Sequence, residues 1–260
     1  MTRATVLRTA GTNCDGETVM ALEMAGAEVD TLHLHRLIET PARLDDCSIL
    51  VIAGGFSYGD DVAAGRVFGH ELRHFLSETL SAFVARGGLV LGVCNGFQVL
   101  VDTGLLLGPD TAPAERGIAL TGNASNQFEC RWVTVRSEPC ACPWLVEGEL
   151  TPMPAAHAEG RFLTAHGEAL ETLRANGQIA LRYATPSGAN AEDWPACPNG
   201  SVESIAGICD PTGRVLGLMP HPERNITPWH HPTWTRLADR TEGEGLEFYR
   251  RMVEVASAVT

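Results

Sequence analysis

Two uninterrupted apolar runs, Ser48-Ile49-Leu50-Val51-Ile52-Ala53 and Leu89-Val90-Leu91-Gly92-Val93, constrain this chain more than any other feature. A short run without polar alternation reads as a strand buried on both faces of a sheet. Between the two, Leu72, Phe75, Leu76, Leu80, Phe83 and Val84 recur at the i, i+3, i+4 spacing of an amphipathic helix over Glu71–Val84. Gly87-Gly88 ends that helix. Upstream, a strand at Val6–Arg8, a helix at Glu17–Ala25 closed by Gly26 and a strand at Glu28–Leu34 continue the alternation. Strand–helix–strand repeats predict an α/β fold, an open, mostly parallel twisted sheet with helices on both faces.

The second half is less regular. Cys130–Val135, Gln178–Tyr183, Ser204–Cys209 and Val215–Met219 have strand character, and Leu246–Val255 reads as a closing helix. Residues 107–126, rich in Pro, Gly, Ala and Thr, and residues 225–244, with Trp229, His230, His231 and Trp234, read as loop insertions. No linker divides the chain, so residues 1–260 are expected to form one domain.

Composition narrows the function. With 32 acidic and 19 basic residues and a net charge of −13, nucleic acid is an unsuitable partner. No stretch of about 18 apolar residues suggests a membrane span, and the N-terminus lacks a signal-peptide pattern. Eight cysteines occur without a C-x-x-C pair or zinc-finger spacing, so no metal site is expected. They read as reduced thiols of a cytoplasmic protein.

Chemistry concentrates at Gly92-Val93-Cys94-Asn95-Gly96-Phe97-Gln98, where a buried strand must turn sharply into a helix. Glycines two residues before and after the cysteine give the pattern of a nucleophile elbow, with sulfur as the nucleophile. The turn exposes Cys94 at the carboxyl edge of the sheet, and the helix N-terminus favours its thiolate. A thiolate nucleophile needs a base and a group that orients the base. Met219-Pro220-His221-Pro222-Glu223 supplies both, because residues two apart in an extended segment project to one side. Gly54-Gly55-Phe56-Ser57-Tyr58-Gly59-Asp60 follows a buried strand, where glycines let backbone N–H groups face an oxyanion. Each motif has a bland alternative: an inert buried cysteine, a proline-bounded turn, a simple glycine turn. Together they describe a Cys–His–Glu triad.

Taken together, these residues resemble the class I, triad-type glutamine amidotransferases, and more narrowly the glutaminase subunits of phosphoribosylformylglycinamidine synthase. The narrower resemblance rests on residues 54–60, Cys94–Gln98, Phe128–Trp132, His157–Phe162, Pro198–Ser201, Ile205–Ile208 and Gly217–Arg224. It implies a flavodoxin-like amidotransferase domain with Cys94 as nucleophile, His221 as base and Glu223 as its orienter. Gly54 and Gly55 would form the oxyanion loop, with N–H groups donated by Gly55 and Asn95, and Gln98 would lie near the glutamine pocket. His157 and Glu159 match a further family motif whose step is open.

The resemblance also implies L-glutamine as substrate and no cofactor in this chain. Its partner would be a synthetase subunit that uses ATP and Mg²⁺, with a small third subunit left open. A loop built on Gly54-Gly55-Phe56 can rest with an N–H turned away, so docking of the partner would be able to switch it on. One departure is Asp61-Val62-Ala63-Ala64, where the family usually carries an aromatic and a basic residue. A stand-alone thiol hydrolase of γ-glutamyl compounds, or a non-catalytic module, remains the competing expectation.

Overall fold

The computed structural model describes residues 1–108, 117–237 and 239–259. Nine strands form one sheet: β1 Arg3–Arg8, β2 Glu28–His33, β3 Ile49–Ile52, β4 Leu89–Val93, β6 Glu129–Ser137, β7 Leu150–His157, β9 Ile179–Ala184, β10 Ile205–Cys209 and β11 Val215–Leu218. A separate pair joins β5 Ile118–Thr121 to β8 Arg161–Thr164. The helices are α1 Asp15–Met24, α2 Leu34–Glu39, α3 Arg66–Ala85, α4 Asn95–Thr103, α5 Gly167–Ala175 and α6 Gly245–Val259.

The sheet order is β2-β1-β3-β4-β11-β10-β9-β6-β7. Pairing is parallel from β2 to β11 and antiparallel from β11 to β7, so only β10 and β6 run against the others. The expected mostly parallel α/β sheet is therefore present, with an antiparallel extension. β3 and β4 are buried at every position, which explains their unbroken apolar sequence.

The order also fixes where a site can form. The chain steps from β1 to β2 in one direction, then from β3 to β4 in the other. Because parallel crossovers are right-handed, α1 and α3 must cover opposite faces of the sheet. Such a reversal opens a crevice at the carboxyl ends of the flanking strands. Here it receives the loops after β1, β3 and β4.

The sequence reading placed the elements correctly but trimmed or missed several. Leu34 opens α2 rather than ending β2, and α3 begins at Arg66. Residues 107–126, expected as a loop, hold β5, while residues 109–116 lie outside the described residues. Most of residues 225–244 is irregular but anchored. Asn225 Nδ2 donates to Pro152 O and Glu244 Oε2, both at 2.8 Å, and Trp132 stacks at a tilt on His231 at 4.9 Å. Residue 238 lies outside the described residues.

β7 was not anticipated. Pro152 and Pro154 lie within it and cannot donate to a ladder, but β7 is an edge strand paired only with β6. Although last in the sheet order, it returns across the carboxyl edge. Pro154 O accepts from His221 N at 2.8 Å. Among the described residues no helix is long and apolar enough to cross a membrane.

Candidate active site

Cys94 stands between β4 and α4 with φ 53° and ψ −106°, a conformation a side chain adopts only under constraint. The constraint is close packing of the elbow. A Cβ on Gly96 would lie 1.9 Å from Ile52 O, and one on Gly92 would lie 2.5 Å from Gly96 O. Both positions must be glycine for α4 to start this close to β3. Cys94 is 6% exposed, and its thiol donates weakly to Ala156 O at 3.6 Å. As the first residue of α4, Asn95 has a backbone N–H without an intrahelical acceptor, available beside the sulfur.

Strand register brings His221 to the level of Cys94. β11 pairs parallel with β4, Leu218 opposite Val93, so the chain leaves both strands at the same level. Cys94 N donates to Leu218 O at 2.7 Å, and three residues on stands His221. His221 Nδ1 lies 2.6 Å from Glu223 Oε1, with both side chains buried. Burial, the largest single influence, disfavours charge on the imidazole. Glu223 and then the Cys94 and Cys14 thiols outweigh it, so the His221 pKa is raised well above its ordinary value. The shift favours the protonated ring, whose Nδ1 is on the carboxylate and whose buried Nε2 has no hydrogen-bond partner among the described residues.

The glycine loop closes the site from β3. A Cβ on Gly54 would fall 3.1 Å from His221 Cε1 and 3.3 Å from Cys14 Sγ, so backbone there lies directly over the pair. Gly55 has φ 141° and would bring a Cβ within 2.6 Å of Asn13 N. Asn95 ties this loop to α4: its Oδ1 accepts from Ser57 N at 3.2 Å, and its Nδ2 donates to Asp60 Oδ1 and Gln98 Oε1 at 3.1 and 3.0 Å. Gln98 Nε2 donates onward to Glu159 O at 2.7 Å. Hence Cys94, His221, Glu223, Gly54, Gly55, Asn95 and Gln98 converge on one crevice.

His157 and Glu159 border it. Glu159 Oε2 accepts from Ala64 N at 3.2 Å, tying this segment to the stretch that follows the glycine loop. His157 Nδ1 lies 3.1 Å from Asn123 Oδ1, while its buried Nε2 has no partner. Burial, and then the charge of His221, lower the His157 pKa to about 4, so this ring stays neutral beside the imidazolium. Gln98 and Glu159 also line a cavity of about 870 Å³ with Arg66, His70 and Arg73. Its walls include neither Cys94 nor His221.

The sequence reading overlooked Cys14, counting it only among the reduced thiols. It follows β1 and caps α1, 1% exposed, and its Sγ accepts from Arg224 Nη2 at 3.0 Å. Its position just past a parallel strand at the topological switch was the available signal. All eight cysteines are free thiols.

The model of the CobB/CobQ-like glutamine amidotransferase domain matches residues 1–255. The chain belongs to this family. The amidotransferase is 40% identical over 255 residues to a protein of Dehalococcoides mccartyi named phosphoribosylformylglycinamidine synthase subunit PurQ, covering 98% of this chain and 97% of that one. A protein of the same name from Treponema denticola is 43% identical over 242 residues, covering 86% and 88%. Among solved structures, one titled "Structure of PurLQS from Thermotoga maritima" matches with a TM-score of 0.70 at 29% identity, over 100% of this chain and 99% of that one.

Proposed function

We propose that the chain is the glutaminase subunit of a phosphoribosylformylglycinamidine synthase, hydrolysing L-glutamine to glutamate and ammonia at Cys94. A synthetase subunit then uses the ammonia, with ATP and Mg²⁺, to convert formylglycinamide ribonucleotide to formylglycinamidine ribonucleotide in purine biosynthesis. The observation that carries the reading is the elbow cysteine at positive φ, at the level of a buried imidazole whose Nδ1 is backed by Glu223. The names of the full-length relatives support the pathway.

In the proposed reaction the Cys94 thiolate attacks the side-chain amide carbon of glutamine. The oxyanion rests on the N–H groups of Gly55 and Asn95. His221 donates its Nε2 proton to the leaving nitrogen, so ammonia departs and a γ-glutamyl thioester remains. The neutral ring then takes a proton from water, whose oxygen attacks the thioester and releases glutamate. No cofactor enters these steps. The chain is read as one amidotransferase domain with insertions near 107–126 and 225–244, working in the cytoplasm.

The test is Cys94→Ala in the complex reconstituted with the synthetase. Glutamine-dependent synthesis should vanish while synthesis from added ammonia persists. Loss of both activities in an intact complex would overturn the division of labour.

A further inference from the structure

Hydrolysis as proposed uses Cys94, His221 and Glu223, and leaves Cys14 without a task. Its sulfur nevertheless stands against that machinery. The sulfur of Cys14, a ring nitrogen of His221 and a carboxylate oxygen of Glu223 all lie within 4.8 Å of one another, and all three residues are buried. A Cβ on Gly54 would fall 3.1 Å from His221 Cε1 and 3.3 Å from Cys14 Sγ. The sulfur is closely fixed. Cys14 N donates to Gly54 O at 3.2 Å, Thr18 Oγ1 donates to Cys14 O at 2.7 Å, and the thiol donates to Asn13 Oδ1 at 3.4 Å.

What the sulfur holds is Arg224. The guanidinium donates from Nη2 to Cys14 Sγ at 3.0 Å, and its Nε lies 3.5 Å from Glu17 Oε1. Cys14 caps α1 and Glu17 lies in its first turn, so both anchors draw the charge toward that helix. Arg224 also follows Glu223 directly in the chain. The sulfur that bonds the guanidinium is thus the one that stands within 4.8 Å of a Glu223 oxygen. That carboxylate is only half engaged. Its Oε1 lies 2.6 Å from His221 Nδ1, whereas Oε2 is buried with no hydrogen-bond partner among the described residues. A guanidinium in reach of a buried carboxylate oxygen forms a strong, charge-assisted hydrogen bond.

We infer that Cys14 is a positioning residue: its sulfur holds the Arg224 guanidinium on α1 and so reserves the Glu223 carboxylate for His221. Released from the sulfur, Arg224 turns to Glu223 Oε2 and offsets the negative charge that favours the protonated imidazole. The other titratable groups around His221, Glu223 and Arg224 are Cys94 at the elbow, His157 on β7, Glu17 on α1 and Tyr249 on α6. The effect on turnover rests on the proposed roles of Cys94 and His221, whereas the state of the ring does not depend on them.

The experiment has two arms. In the first, the His221 imidazole is titrated by NMR in the full-length chain labelled at histidine Cε1, its resonance identified by its absence in His221→Asn. Cys14→Ala should lower the midpoint by about one pH unit, because a guanidinium bonded to Glu223 offsets its charge. Cys14→Ser, which keeps an acceptor, should stay closer to wild type. Adding Arg224→Gln to Cys14→Ala should return the midpoint to the wild-type value or above, since no competing charge remains. A packing defect at position 14 would not be repaired by losing a second side chain. Cys14→Val, which fills the space of the sulfur without an acceptor, serves if the alanine variant fails to fold. In the second arm, glutaminase turnover is followed against pH with the synthetase present. Above both midpoints Cys14→Ala should lose about tenfold in kcat with KM within about twofold, and the double variant should recover. An unmoved midpoint in a folded Cys14→Ala or Cys14→Val chain, or a fall that Arg224→Gln leaves in place, overturns the inference. Absence of glutamine turnover in the wild-type complex refutes instead the proposed function, and the midpoints still decide the role of Cys14.

Discussion

Replacing His157 with asparagine should flatten the acid sensitivity of this protein. The ring is 3% exposed, donates from Nδ1 toward Asn123 Oδ1, and leaves Nε2 without a partner. Protonation would put a second N–H and a charge where no acceptor waits, close to the His221 imidazolium. The resulting pKa of about 4 lies well below the ordinary value near 6.5. Between these values the unfolded chain binds a proton that the folded protein refuses, so stability falls as the pH falls. The loss begins below pH 6.5 and is complete below pH 4. Linkage gives about 2 kcal/mol at pH 5 and about 3 kcal/mol in full. Asparagine keeps an N–H donor near the place of Nδ1 but cannot titrate. Smaller than the ring, it should cost about 1–2 kcal/mol at every pH through the space it leaves. The assay is urea unfolding of both proteins at pH 7 and pH 5, which cancels the carboxylates they share. Wild type should lose about 2 kcal/mol more than His157→Asn over that interval. Equal losses would mean that His157 protonates freely in the folded state, and would refute its assignment as a neutral ring.

Gly96→Ala should lose about 3 kcal/mol or fail to fold, because its Cβ would sit 1.9 Å from Ile52 O in a rigid elbow; thermal unfolding reads this directly. His221→Ala should lose about 10²–10⁴-fold in glutaminase kcat/KM and Glu223→Gln less, since glutamine still bonds Nδ1. Glu223 is the main influence raising the His221 pKa, so the alkaline limb of the pH–rate profile should shift to lower pH in Glu223→Gln; an unmoved limb would remove Glu223 from that role. Gly55→Ala should lower glutamine turnover about 10²–10³-fold while ammonia-dependent synthesis by the complex persists, because the new Cβ would push the oxyanion loop off Asn13. Turnover within a few-fold of wild type would show that the Gly55 N–H is not an oxyanion donor.

What was legible in the sequence is what steric necessity writes into it. Gly92 and Gly96 must be glycine for the elbow to close, so the turn is visible as a spacing. β3 and β4 are apolar throughout because both faces are covered, and so they stand out. His221 and Glu223 are two residues apart and reveal each other. Elements without such necessity were hidden. In α5 only Leu173 is buried, so the helix shows no wide apolar stripe. β7 carries two prolines that an edge position tolerates, and β5, in a two-stranded pair, buries none of its residues fully. Cys14 lies 80 positions before Cys94 in the chain, and only the β2-β1-β3-β4-β11 order puts its thiol beside His221. A pattern read along the chain has no means of expressing that neighbourhood.

The same order revises how a partner would control the site. The glycine loop was expected to be able to rest with an N–H turned away until a docking partner reorients it. In the structure the loop is stitched to the segment after β1. Asn13 N and Cys14 N donate to Gly54 O at 3.4 and 3.2 Å, Phe56 N to Gly11 O at 3.0 Å, and Tyr58 N to Ala10 O at 2.7 Å. Thr12 and Gly55 form an antiparallel bridge, and Ser57 N is held by Asn95 Oδ1. Rotating one peptide of residues 54–56 alone would break several of these bonds, each with a net worth of about 1 kcal/mol, more when buried without replacement. The cheaper motion carries residues 10–14 and 54–57 together as one unit. Cys14 belongs to that unit and lies against His221, so such a motion would shift the base as well as the oxyanion donors. Switching by a synthetase would then act on both halves of the catalytic machinery through a single displacement. On its outer side the unit offers Phe56, 46% exposed and stacked on Phe128, a surface that a partner can grip without entering the crevice.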